Sequence, residues 1–196
     1  MPDRTICNQT PKRKMSPRSK PRVLIVDDNK ADSGLFAYGF SNTGVPHEVD
    51  GAQDGQSAMD CLRQRLRTGD LPLPRLILLD LTMPKMSGIE FLRELKANEQ
   101  LRRIPVIVMT SSQFARDIDE AYEAGACLYV CKPNDLESLE ELIRAIATVW
   151  LKYGTPPEIL VHAYKAISAE PSSAHSTSAV VSDRGPSEVE SLLSGA

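Results

Sequence analysis

The chain has 196 residues, 41% of them hydrophobic and 25% charged, with a formal net charge of -3. That is the make-up of one ordinary soluble domain with tails, and the near-neutral balance gives no global reason to expect nucleic acid or a membrane surface as a partner. No apolar run approaches the ~20 residues of a membrane-spanning helix, the first residues lack a hydrophobic signal core, and Cys7, Cys61, Cys127 and Cys131 form no CxxC pair, so a cytoplasmic protein with reduced thiols is expected.

Taken in chain order, residues 1–20 read as a disordered arm, rich in Pro and Ser and basic at Lys12, Arg13, Lys14, Arg18 and Lys20. Residues 21–152 read as the folded domain. Its first strand is Val23-Leu24-Ile25-Val26, followed by a helix near Ala31 to Phe40 that Gly34 and Gly39 weaken. A less apolar strand spans His47 to Ala52, and a helix follows over Gln56 to Arg67. Leu76-Ile77-Leu78-Leu79 is the third strand; Ser87 to Ala97 carries Ile89, Leu92 and Leu95 at helical spacing. Val106-Ile107-Val108-Met109 is the fourth strand, and Phe114 to Ala124 a helix with Gly125 as its C-terminal stop. Leu128-Tyr129-Val130 is the fifth. The last helix has Leu136, Leu139, Leu142, Ile143, Ile146, Val149 and Trp150 on its apolar face, with Asn134 and Glu137 as a capping-box-like start. Residues 153–196 read as a C-terminal extension: a short amphipathic stretch over Glu158 to Ile167, then a Ser/Ala-rich disordered tail too short for a second core.

Short, nearly continuous apolar runs are the signature of parallel strands buried on both faces. Five of them alternating with five helices predict an α/β, flavodoxin-like doubly wound sheet, with 2-1-3-4-5 as the leading strand order. Such sheets hold their chemistry in the crevice at the carboxyl ends of the strands. Four strands end there in a polar residue: Asp27, Asp80, Thr110 and Lys132.

Asp27 and Asp28 follow the first strand and Asp80 the third, so three carboxylates share one sheet edge and repel one another unless a cation intervenes. A hard divalent ion with oxygen ligands, Mg²⁺ above all, suits such a site. Any one Asp alone would read as a helix cap; all three, with a hydroxyl at Thr110 and a compact cation at Lys132 on adjacent strands, favour the metal.

The segments Val23 to Asn29, Leu78 to Pro84 with Ser87-Gly88, Thr110-Ser111-Ser112 and Lys132-Pro133 resemble, in order and spacing, the CheY-like receiver domains of response regulators. The resemblance covers about residues 22–150. It implies that Asp80 accepts a phosphoryl group from a phosphohistidine, that Mg²⁺ is held by Asp28, Asp80 and the Thr82 backbone carbonyl with Asp27 acting mainly through water, and that Lys132 and Thr110 hold phosphoryl oxygens. It places Tyr129 at the family's switch aromatic, coupled to Thr110, and Thr82 and Ser112 where the family tunes phosphoryl lifetime. The long Asp60 to Pro74 stretch and the Val149-Trp150-Leu151 ending are similar to the small regulators that pair with phytochrome kinases, often as homodimers. That implies Trp150, Leu151, Tyr153, Ile159 and Leu160 as a dimer stripe, the alternative being that the segment folds back on its own domain.

The expected function is therefore a single-domain response regulator, not an enzyme beyond its own phosphotransfer and autodephosphorylation. Its expected donor is a sensor histidine kinase, of phytochrome type as the narrower resemblance implies, or a phosphotransfer protein; the alternative is a relay intermediate or phosphate sink. A haloacid-dehalogenase-type phosphatase would want a second Asp at Thr82, and a flavin site a phosphate-cradling loop where acidic Asp27-Asp28-Asn29 stands.

Overall fold

The computed structural model describes residues 20–69 and 72–154; the N-terminal arm, the C-terminal tail, Ile159 and Leu160 lie outside them. Five strands, β1 (Arg22–Val26), β2 (Glu48–Ala52), β3 (Leu76–Leu79), β4 (Val106–Thr110) and β5 (Leu128–Cys131), form one parallel sheet in the order β2-β1-β3-β4-β5. The helices between and after them are α1 (Lys30–Ser41), α2 (Gly55–Thr68), α3 (Gly88–Ala97), α4 (Ala115–Glu123) and α5 (Leu136–Ile146). Fold class and strand order are those expected.

The period-2 alternation of the strands splits the core into two layers. On one face Leu24, Val26, Ile77, Leu79, Val106 and Val108 pack with Met59 and Leu62 of α2 and Phe91, Leu92 and Leu95 of α3. On the other, Val23, Ile25, Leu76, Leu78, Ile107 and Met109 pack with Phe36 and Phe40 of α1 and Leu139, Ile143 and Ile146 of α5. Apolar residues on both faces are what made β1, β3 and β4 read as unbroken runs. Gly39, a weak point by propensity, lies against Ile143 where α1 meets α5; a Cβ there would sit 3.4 Å from that side chain, an ordinary packing contact.

Two local readings change. The N-cap of α5 is Asp135, not Asn134: its carboxylate accepts from the Ser138 N–H at 2.8 Å, and the start falls one residue later. Gly125, at φ +99, directly follows the Ala124 cap of α4 and is the glycine stop expected there. Beyond Ile146 the chain continues as a π-helical segment, Ala147–Tyr153, closed by the Gly154 N–H donating to the Val149 carbonyl at 2.7 Å. The wider turn carries Ala147 and Leu151 into the second core layer, with Trp150 packed partly against it, whereas Tyr153 is 71% exposed. Leu151 is 4% exposed and packs within its own domain. Among the described residues no helix is long and apolar enough to cross a membrane.

Candidate metal and phosphoryl site

The sheet's carboxyl edge is built by extending the strand ladder one residue past each strand. The Asp27 N–H donates to the Ala52 carbonyl at 3.0 Å, the Asp80 N–H to Val26 at 2.9 Å, and the Lys132 N–H to Thr110 at 2.9 Å. The backbone of each functional residue is thereby fixed by the neighbouring strand. α3 then begins directly over the edge: a Cβ on Gly88 would fall 2.2 Å from the Asp80 carbonyl oxygen, so only glycine permits this approach.

Asp27, Asp28 and Asp80 each offer an oxygen such that all three lie within 4.8 Å of one another. Asp27 and Asp80 are 2% and 8% exposed, and Asp28 opens to solvent. An all-oxygen donor set with two recessed carboxylates and one at the mouth fits a hard divalent cation that keeps some of its water. The geometry therefore brings together the three acids that the sequence singled out. Thr82 lies in the exposed connection just past Asp80.

Lys132 is the counterion already in place. Its Nζ lies 2.8 Å from Asp27 Oδ2, 2.8 Å from Asp32 Oδ2 and 3.5 Å from Asp80 Oδ2, and 5.6 Å from the centre of the Phe36 ring. Burial opposes the ammonium, but the carboxylates outweigh it and hold Lys132 above the usual lysine range. Burial also dominates at Asp27 and pushes its carboxyl upward; the hydrogen bonds from Lys132 and the Asn29 N–H offset it only in part, and Asp80 adds repulsion. An acid under that stress is relieved by a cation. Asp80 is the least engaged of the recessed pair: Oδ1 accepts from the Leu81 N–H at 2.8 Å, and Oδ2 has only the longer Lys132 contact.

Asp32 was not among the sequence candidates. An Asp in the first turn of a helix ordinarily reads as complementing the helix dipole. Its meeting with Lys132 depends on how α1 and the end of β5 are placed in three dimensions. The one signal available is that it falls five residues after Asp27, on the site end of α1.

Thr110 is 1% exposed at the end of β4, and its Oγ1 accepts from the Ser112 N–H at 3.4 Å. Tyr129 is half-buried, and its hydroxyl donates to the Ser112 carbonyl at 3.0 Å. Ser112 Oγ in turn donates to Asp117 of α4. Ser112 therefore links Thr110, Tyr129 and α4, a connection between the end of β4 and the outer helix.

A family model described as the response regulator receiver domain matches residues 23–144. The response regulator Rcp1 of Synechocystis sp. is 39% identical over 145 residues, which is 73% of this chain and 99% of that protein. The solved structure of the Mn²⁺-bound form of Rcp1 is 38% identical, covers 70% of this chain and 99% of its own, and superposes with a TM-score of 0.64. That of the phosphorylated cyanobacterial phytochrome response regulator RcpA is 38% identical, covers 71% and 99% of the two chains, and has a TM-score of 0.66. The response regulator RPA3017 in red light signaling of R. palustris is 31% identical, with 70% and 98% covered and a TM-score of 0.63.

Proposed function

Because the chain belongs to the response regulator receiver family, we propose that it is a phosphoryl-accepting switch in which Asp80 is the nucleophile and a divalent cation, Mg²⁺, is bound by Asp27, Asp28, Asp80 and the Thr82 carbonyl. The observation that carries this reading is the convergence of three carboxylate oxygens within 4.8 Å beside Lys132, on strand ends of a receiver fold. The existence of a Mn²⁺-bound form of the similar Rcp1 supports the choice of a divalent ion.

A carboxylate oxygen of Asp80 attacks the phosphorus of a phosphohistidine; the new O–P bond forms as the P–N bond breaks, and the imidazole leaves with the electron pair. The bound ion supplies charge neutralisation for the transferring group. Lys132, held at 3.5 Å from Asp80 and closer to Asp27 and Asp32, has an ammonium in reach of the incoming oxygens. Thr110, buried on the adjacent strand, offers its hydroxyl to another. The Thr110–Ser112–Tyr129 connection then passes the change to α4 and β5. Turnover is limited to accepting this group and losing it to water, and the output is a change of protein contacts.

The donor is a sensor histidine kinase or phosphotransfer protein; similarity to the phytochrome response regulator RcpA favours a phytochrome-type kinase, and similarity to RPA3017 a place in red light signaling. Incubating the chain with acetyl phosphate and Mg²⁺ should give an acid-stable, base-labile adduct by mass spectrometry that Asp80→Asn abolishes; an unmodified wild type would refute the reading. Phosphotransfer profiling against purified kinases identifies the donor: transfer from a phytochrome kinase no faster than from unrelated kinases rejects the pairing.

A further inference from the structure

The connection from Asp80 to α3 is gripped from the side opposite Lys132. Lys85 adopts φ +65 and is, among the described residues, the one non-glycine at positive φ. Its Nζ donates to Asp54 Oδ2 at 2.7 Å. Asp54 stands at the start of α2, with a side chain only 4% exposed. Its two oxygens have separate duties: Oδ1 accepts from the Ser57 N–H at 2.7 Å and caps α2, while Oδ2 takes the lysine. Burial works against this carboxylate, yet Lys85 and Ser57 hold it below its ordinary range. The connection also lies directly on the first residue of α2, because a Cβ on Gly55 would fall 2.9 Å from Met86 Cγ and 3.0 Å from the Met86 carbonyl oxygen. At its far end the Gly88 N–H donates to the Leu81 carbonyl at 3.0 Å.

A long side chain held in the left-handed region persists only where its surroundings over-determine it. Here the over-determining group is a recessed carboxylate that needs a cation. A backbone carbonyl has no rotamer of its own and is aimed solely by the course of the chain. Thr82, three residues before Lys85, stands on this gripped connection.

We infer that Lys85 and Asp54 are positioning residues for the divalent cation, their ion pair fixing the connection that presents the Thr82 carbonyl to the acid cluster. The inference rests on the magnesium-dependent reading above. It assigns a role to two residues outside the cluster itself, one at the start of α2 and one past the Met83-Pro84 corner.

The test is Mg²⁺ binding to the full chain by calorimetry, with thermal unfolding in a chelator alongside. Lys85→Gly removes the cation and takes the positive φ without strain; Asp54→Asn keeps a capping oxygen for Ser57 and loses the charge. Both variants should bind Mg²⁺ about tenfold more weakly, the usual scale for a group that orients a ligand. Lys85→Arg should bind as wild type. Metal-free Lys85→Gly should unfold close to wild type, since relief of the positive φ offsets the cation that Asp54 loses; a loss of Mg²⁺ affinity without a matching loss of metal-free stability separates positioning from mere stability, and a matching loss overturns it. Wild-type affinity in either Lys85→Gly or Asp54→Asn overturns the clamp. A wild type that binds no Mg²⁺ overturns the clamp and the proposed function together, and that outcome is recognised before any variant is made.

Discussion

The two sides of the sheet's carboxyl edge are built differently. β1, β3 and β4 are enclosed on both faces, and they deliver Asp27, Asp80 and Thr110 at 2%, 8% and 1% exposure. β5 is an edge strand with half-exposed or exposed residues throughout; it delivers Tyr129 and, one residue past its end, Lys132. Its neighbour α4 buries only Ala121, and Phe114 at its start and Tyr122 within it are 75% and 47% exposed. The recessed acids Asp27 and Asp80 are thus mounted on the most enclosed part of the sheet, and the groups proposed to respond to a phosphoryl group stand on the most weakly enclosed part. A cluster that must bind a cation needs fixed geometry, whereas a signalling element is drawn from regions of low local stability.

Core truncation should expose this contrast most strongly. Leu79→Ala, at a fully buried β3 position against α2 and α3, is expected to cost about 3 kcal/mol in chemical denaturation. Leu128→Ala on β5, where the side chain is 37% exposed, should cost below ~1 kcal/mol. Equal losses would mean that the edge is as rigid as the centre.

The next largest effect is that of the cation. At Mg²⁺ about one hundred times its dissociation constant, mass action gives about 2.7 kcal/mol of added stability, read as a rise in melting temperature that is absent in Asp28→Asn. The pH dependence has a definite sign. The folded pKa of Asp27 is raised by burial, so between the unfolded and folded values the native state binds the extra proton and metal-free stability falls as pH rises. Mg²⁺ requires the ionised form, so its affinity should climb as pH rises through that elevated range and level off above it. An affinity that stays flat with pH across that range would show Asp27 to be ionised before the metal arrives.

These contrasts follow what was and was not legible in the sequence. Asp27, Asp80, Thr110 and Lys132 stood out because a polar residue ending an unbroken apolar run marks the carboxyl end of a buried strand, and parallel sheets align those ends. β2 was fainter, since as an edge strand with pattern Glu48-Val49-Asp50-Gly51-Ala52 it has less to bury. The start of α5 was ambiguous because Asn134 and Asp135 are both competent caps, and only the approach of the Ser138 N–H chooses between them. Leu151 fell outside the apolar face read at 3.6 residues per turn, and the π-helical turn brings that side chain inward. Asp32 and the positive φ of Lys85 were invisible for a common reason: each depends on two elements meeting in space, and neither residue type advertises it.

Asp32→Asn probes the boundary between the two sides. Lys132, on the edge, is drawn toward α1 by Asp32 at 2.8 Å as well as toward Asp27. Removing that charge leaves Lys132 freer to reach Asp80 and lowers the repulsion felt by an anionic donor. A gain of up to ~1 kcal/mol, or several-fold in the rate of modification by acetyl phosphate, is expected from one carboxylate charge at this range in a partly exposed setting. A slower reaction would show instead that Asp32 holds the lysine in its productive place.

The smallest effect belongs to Tyr129→Phe. The variant loses one hydrogen bond, from the phenol to the Ser112 carbonyl at 3.0 Å, on a half-buried residue. A single neutral hydrogen bond of this kind is worth about 0.5–1.5 kcal/mol net, and partial solvent access puts the expected loss of stability near the lower end. The Tyr129 hydroxyl bonds to the Ser112 carbonyl rather than to an acid of the cluster, on the weakly enclosed side, so magnesium affinity should change by less than about twofold, as independent sites behave. What should change is the response: the difference in amide exchange at α4 between unmodified and phosphorylated protein should shrink, because the phenol is the group that ties β5 to the Ser112 carbonyl. A large loss of magnesium affinity in Tyr129→Phe would mean that the edge and the acid cluster are already one mechanical unit before any phosphoryl group arrives, and the division between a fixed side and a responsive side would fail.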